Sequence, residues 1–236
     1  MNASVKIIDF AQKNKLTQAN AVTDYGDGSQ LEFPRGIRPG EFISAAEALL
    51  EQGESGYCDA VANAQRAVRA QIKYTLTALG FDLTGMRIKA QISLLDSLGL
   101  LAPRLLRKIS GPRNLMEHAY KRPTREETED ALDIASLFVE ATNRVVSLYW
   151  SYSIEATGRR KRQPSLFFSF DQQAKLFRVF MRMPGAPTEE VLIDQTSPLF
   201  VFAHRIAIAF SREVEWQSNP KVADAMFEFL RVAGVP

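Results

Sequence analysis

Apolar positions change their spacing along the chain, and each change marks a different kind of element. Residues 1–37 read as β-like and irregular, with a strand expected over Val5–Phe10. A second pair, Ala21–Thr23 and Gln30–Phe33, flanks the Gly-Asp-Gly turn at Gly26–Gly28. Pro34, Gly36 and Pro39 then interrupt the chain before a helical pattern begins.

From about residue 40 the period is that of a helix. Phe42, Ala46 and Leu49/Leu50 form one stripe, ended by Gly53 and Gly56. Val61, Ala64, Val68, Ile72, Leu76 and Leu79 form a second, closed by Gly80, a good helix stop. Ile88, Ile92, Leu95 and Gly99 make a third, beginning near Thr84. A short piece, Ala102–Ile109, precedes a segment that opens at Gly111-Pro112 and stops at Pro123. Thr124 and Glu127 then have capping-box spacing, with Glu126, Glu129 and Asp130 also in the first turns, where the helix dipole favours acids. The stripe that follows runs Ala131, Ile134/Ala135, Phe138, Ala141, Val145, Leu148/Tyr149 and Tyr152. It predicts a helix of about 30 residues, roughly 45 Å long.

After a loop at 158–164 the pattern turns β-like over Leu166–Phe170, Leu176–Met181, Val191–Asp194 and Phe200–Phe210, with a last helix over Val222–Val232. The expected fold class is α+β. A mainly α-helical bundle is followed by a small antiparallel sheet with a helix, and the N-terminal strands join that sheet. The corresponding division is 1–37 as a β-rich extension, 38–157 as the helical domain and 158–236 as a small α+β region.

Composition narrows the function classes. The 236 residues are 46% hydrophobic and 24% charged, ordinary globular values, and no apolar run is long enough to span a bilayer. The start lacks the basic flank and apolar run of a signal peptide, so a cytoplasmic protein without a membrane partner is expected. Cys58 is the only cysteine, which excludes an intrachain disulfide. With only His118 and His204 beside it, an ordinary structural zinc site is excluded too. No metal and no cofactor are predicted; a carboxylate-held magnesium stays open, though no clustered Asp/Glu motif points to one. His204, inside the apolar run Phe200–Phe210, reads as structural. The net charge of +2 does not by itself announce a nucleic-acid binder.

Chemistry concentrates in Arg113-Asn-Leu-Met-Glu-His118-Ala-Tyr120. A histidine near its ordinary pKa exchanges protons at physiological pH, and a guanidinium stabilises charge on a phosphate. Residues five apart on one helix point about 140° away from each other, so Arg113 and His118 do not share a face. Asn114 and His118, four apart, do. Arg113 must therefore swing in from the first turn, or the site must be composite across two chains.

This stretch, with the amphipathic helices before it and the capped helix after it, resembles the HEPN superfamily over roughly residues 40–157. Arg113, Asn114 and His118 match its Arg-polar-His pattern. With Tyr120 the segment reads Arg-x4-His-x-Tyr, the form found in HEPN toxins paired with minimal-nucleotidyltransferase antitoxins. The resemblance implies a metal-independent endoribonuclease and a homodimer formed through the bundle. His118 would assist attack by a ribose 2′-hydroxyl, Arg113 would stabilise the transition state, and Asn114 would orient the histidine or hold a phosphate oxygen. The ends left would be a 2′,3′-cyclic phosphate and a 5′-hydroxyl. Tyr120 matches the position that the antitoxin modifies with AMP, and an antitoxin or a defence-complex protein is the further partner implied.

RNA is the expected substrate. Lys121, Arg122 and Arg125 flank the motif, and Arg159, Arg160, Lys161 and Arg162 form a run; either group would neutralise phosphates. Plainer readings stand beside these. Glu117 and Lys121 have the spacing of a surface ion pair, and a charged run in a loop is usually solvated surface. Phe167, Phe168, Phe170, Phe177 and Phe180 are stacking candidates, with core packing the commoner fate. Two rival functions remain open at this point: a catalytically inactive HEPN module binding RNA, a nucleotide or a partner protein, and an interaction protein whose motif is coincidental.

Overall fold

The computed structural model describes residues 3–16, 20–22, 30–32, 36, 38–100, 122–155, 163–211 and 231. Among them, in chain order, the elements are α1 (Ala3–Lys13), β1 (Asn20–Val22), α2 (Pro39–Leu50), α3 (Tyr57–Ala78), α4 (Ile88–Ser97), α5 (Arg125–Ser147), β2 (Tyr152–Glu155), β3 (Ser165–Asp171), β4 (Leu176–Arg182), β5 (Glu189–Ile193) and α6 (Pro198–Ser211). They fall into two compact units. One comprises Phe33–Ala78 and Asp82–Val146 and is helical; the other comprises Met1–Glu32, Leu79–Phe81 and Ser147–Pro236 and holds the sheet. The α+β class and the mainly helical bundle are as the pattern predicts.

In the helical unit α2 packs along α3, and α4 against α3. The α3 stripe is the one the spacing predicts, with Val61, Ala64, Val68, Ile72 and Leu76 all buried. Many of the buried positions are small (Ala46, Ala60, Ala64, Ala67, Ala131, Ala135), which lets helix axes approach closely. A short 3₁₀ turn, Gly53–Ser55, links α2 to α3. A Cβ on Gly56 would collide with the Leu49 carbonyl oxygen, so this turn is closed by the absence of a side chain.

The sheet unit is an antiparallel meander in the order β1-β2-β3-β4-β5. β1 pairs with β2, so an N-terminal strand does join the sheet. Alternation decides its faces: Phe168 and Phe170 of β3, and Phe177, Val179 and Met181 of β4, are all buried. α1 lies against β5, with Lys6 Nζ 2.6 Å from Glu189 Oε1, and α6 lies against β4.

Four local expectations are corrected. Val5–Phe10 is not a strand but part of α1, whose buried Ser4, Ile7 and Ala11 have i, i+3, i+7 spacing. Gln30–Glu32 is not a strand either. The Gln172 side-chain amide donates to the Gln30 carbonyl at 3.0 Å and accepts from the Glu32 N–H at 3.2 Å, standing in for a ladder partner. The helix predicted to run to Tyr152 stops at Ser147 after 23 residues, because Tyr152–Glu155 gains four paired positions on β3. The apolar run Phe200–Phe210 is helical: Pro198 occupies its first turn, and Ser197 Oγ accepts from the Leu199 N–H at 3.2 Å. The turn at Gly26–Gly28 and the piece Ala102–Ile109 lie outside the described residues, as does the predicted helix Val222–Val232 apart from Arg231.

Candidate functional site

The chain between α4 and α5 carries the Arg113–Tyr120 motif, and its two described flanks are built by helix-end chemistry. α4 ends in a Schellman motif. The Leu100 N–H donates to the Leu95 carbonyl at 3.0 Å, and the Gly99 N–H to the Asp96 carbonyl at 2.9 Å. Gly99 takes φ +73°, and Leu95 and Leu100 are both buried, completing the apolar clasp. At the other flank the capping box forms. The Glu127 N–H donates to Thr124 Oγ1 at 3.1 Å, and the Thr124 N–H donates to the Glu127 carboxylate at 2.8 Å. Pro123 beside it is buried.

Arg113, Asn114, His118, Tyr120 and Lys121 lie outside the described residues, as do Glu117 and the run Arg159, Arg160, Lys161 and Arg162. Of the predicted phosphate-binding residues, the structure places two. Arg122 is exposed. Arg125, in the first turn of α5, pairs with Glu129 at 2.7 Å, and that hydrogen bond raises the guanidinium pKa. The pair is solvent-exposed, so it holds Arg125 weakly. Among the described residues no group of three His, Cys, Asp or Glu side chains could hold a metal ion.

One buried polar cluster joins α3 to α5 inside the helical unit. Gln71 Nε2 donates to Asn143 Oδ1 at 3.0 Å and to Thr75 Oγ1 at 3.5 Å. Among the described residues Gln71 Oε1 has no hydrogen-bond partner. Thr128 and Thr142 are buried as well, each donating to the carbonyl one turn back, Thr124 at 2.7 Å and Phe138 at 2.6 Å.

His204 is the second histidine, and its surroundings are hydrocarbon. Phe81, Phe170, Phe177 and Phe200 surround it with ring centroids at 5.6, 4.9, 4.7 and 4.5 Å. Tyr149 Oη and His204 Nδ1 are 2.5 Å apart. Burial pushes the imidazole pKa down to about 3 and the Tyr149 hydroxyl up. The Leu79 backbone lies near enough to push the imidazole the other way, yet among the described residues Nε2 has no partner of hydrogen-bonding geometry. A histidine held neutral in an aromatic shell is a packing element, as its sequence setting suggests. The stacking candidates divide in the same way. Phe168, Phe170 and Phe177 are core, whereas Phe167 and Phe180 sit half-buried on the opposite face with Arg182 5.0 Å above the Phe167 ring.

A charged feature escaped the sequence reading. Arg66, Arg69 and Lys73 are exposed on α3 at i, i+3, i+7 spacing. Residues 60–81 contain no aspartate or glutamate, and that run was the available signal.

Residues 38–145 match the model of the HEPN domain, a family mostly of ribonuclease and other nuclease effectors. Domains of this family often bind RNA and dimerise. No curated protein and no solved structure matches the chain. Among the described residues no helix is long and apolar enough to cross a membrane.

Proposed function

We propose that this protein is a metal-independent HEPN endoribonuclease that acts as a toxin or antiviral effector. The observation that carries the reading is that the HEPN stretch, 38–145, encloses Arg113, Asn114, His118 and Tyr120 on the segment between the α4 Schellman motif and the α5 capping box. Both flanks of that segment are fixed by satisfied backbone groups, which is what a site needs if its side chains are to be held in register.

In the proposed reaction His118 takes the proton of a ribose 2′-hydroxyl, whose oxygen attacks the adjacent phosphorus. Arg113 stabilises the crowded, negatively charged phosphorane, and Asn114 orients the imidazole. The phosphorus–5′-oxygen bond breaks and that oxygen takes up a proton, leaving a 2′,3′-cyclic phosphate and a 5′-hydroxyl. Residues five apart, as Arg113 and His118 are, would point apart on one helix, so the reading puts one active site across two facing bundles of a homodimer. Arg122 and Arg125, with Lys121 and the run Arg159 to Arg162, supply phosphate neutralisation. Modification of Tyr120 by a partner antitoxin would place bulk and negative charge two residues from His118 and block the site.

The test is incubation of the purified protein with total RNA in EDTA, beside His118→Ala and Arg113→Ala. Each variant is expected to lose cleavage by roughly a hundredfold or more. Cleavage that survives in His118→Ala ends the proposal, and a parent protein that binds RNA without cutting it is a binding module instead.

A further inference from the structure

We infer that Arg66, Arg69 and Lys73 of α3 form a binding stripe for the phosphate backbone of single-stranded RNA, an inference that rests on the nuclease reading above for the identity of its ligand. The three side chains fall within about 60° of arc on one face of α3, and Arg66 and Lys73 are about 10 Å apart along the axis. All three are exposed.

Among the described residues none of the three has a carboxylate partner, whereas four cations elsewhere do. Lys6 pairs with Glu189, Lys13 with Asp9, Arg125 with Glu129, and Arg178 with both Asp171 and Glu190. Among the described residues Arg66 instead reaches the neutral Asn63 Oδ1, at 3.2 Å. Neither Arg69 nor Lys73 has an ion pair among the described residues. The other acidic residues described in the helical unit stand on other elements: Glu41 and Glu47 on α2, Glu51 and Glu54 between α2 and α3, Asp82 before α4 and Asp96 on it, and Glu126, Glu127, Glu129, Asp130, Asp133 and Glu140 on α5. On the stripe's own helix the one acid is Asp59, two turns before Arg66. Like charges at i, i+3 and i, i+4 repel and destabilise a helix slightly, so this segregation opposes helix stability and favours a polyanion.

The spaces between the cations decide the class of partner. Ala70 lies among them, with Ala62 and Asn63 one turn before Arg66, so the helix itself sets no large side chain between the cations. No aromatic or large aliphatic side chain stands within the stripe, and such an anchor is what a protein interface would want at its centre. Contacts to phosphate alone carry no sequence information, so the stripe grips and orients RNA and leaves the choice of cleavage position to other residues.

The experiment uses the full chain carrying His118→Ala, so that RNA is not consumed. Binding of a fluorescent 20-nucleotide oligouridylate is titrated from low to high salt, with and without Arg66→Gln/Arg69→Gln/Lys73→Gln. Glutamine keeps helix propensity, and circular dichroism checks that the variant is folded. Affinity at low salt is expected to fall roughly tenfold or more, and the slope of log K against log salt to shrink by about 2, near 0.7 for each lost phosphate contact. Lys13→Gln/Lys15→Gln, which removes cations from the sheet unit, is expected to leave both quantities unchanged. The inference is overturned if the triple variant keeps the parent's affinity and slope, if the control variant loses as much, or if the parent holds no RNA. His118-dependent cleavage alongside unchanged RNA affinity in the triple variant would sink the stripe and leave the nuclease reading standing. Stripe-dependent RNA binding by a chain that never cuts RNA would do the reverse.

Discussion

The helical unit and the sheet unit solve the same burial problem with different side chains. The helical unit closes over alanines, valines and leucines, with one phenylalanine, Phe138, among its largest fully buried side chains. The sheet unit closes over rings, with Tyr149, Tyr152, Phe168, Phe177 and Phe200 fully buried and His204 among them. The polar groups differ in the same way. In the helical unit Thr128 and Thr142 satisfy themselves on their own helix, while His204 depends on a tyrosine 55 positions away in sequence. Helix-on-helix packing rewards small side chains along ridges. A sheet covered by a helix leaves a layer about 10 Å deep that rings fill best. The unit that carries the HEPN match is therefore held by many small contacts, and the sheet unit by few large ones.

That contrast can be broken most sharply at Phe200, which touches Phe81, Phe170, Phe177 and His204. Phe200→Ala is expected to destabilise the sheet unit by about 3–5 kcal/mol in urea unfolding, more than any alanine-to-glycine change on α3. A loss under 1 kcal/mol would mean the ring cluster is not what holds this unit.

Acid acts on the same cluster. The His204 pKa lies at about 3 in the folded chain against 6.5 in its absence, so the unfolded chain takes up the proton first as pH falls. The stability this residue contributes is complete above about pH 6.5 and declines toward pH 3, by up to roughly 1.4 kcal/mol per pH unit. Unfolding midpoints measured across that range are expected to show this slope and His204→Phe to flatten it. A parallel slope in both proteins would acquit His204.

Smaller effects probe the helical unit. Gly99→Ala forces φ +73° on a residue with a Cβ, and Thr124→Ala removes the first half of the α5 capping box; each is expected to cost about 1 kcal/mol. Under the proposed function each also loosens a flank of the motif, so RNA cleavage should fall further than stability does. The smallest change is expected at Gln71→Met. It removes an amide whose oxygen is unpaired among the described residues, at the expense of the Asn143 contact, and should shift stability by less than about 1 kcal/mol. A loss of 3 kcal/mol there would reveal a partner for the Gln71 oxygen.

Much of the helical unit was legible because its signals are local. The α3 stripe, the Thr124–Glu127 box and the Gly80 stop each depend on residues within a turn or two, and all three appear as the sequence predicts. The Arg113–Tyr120 motif was equally legible as a pattern, since residue type and spacing are properties of the sequence alone. The run Phe200–Phe210 was misread because unbroken apolar sequence suits a buried strand and a buried helix alike. Ser197 and Pro198, a cap and a first-turn proline, were the overlooked arbiters.

The sequence by itself determined where α3 ends, where α5 begins and which residue types stand beside the catalytic candidates. It also determined that strands follow the bundle. Only the tertiary structure decided that α1 is a helix under Glu189, that α5 yields to a strand at Tyr152, and which phenylalanines face inward. Only the tertiary structure, among the described residues, left Arg69 and Lys73 without an acid while Arg178 holds two. The physical reason is range. Caps and periods are set by neighbours along the chain, whereas a face, a ladder partner or a counter-ion comes from residues that only folding brings near.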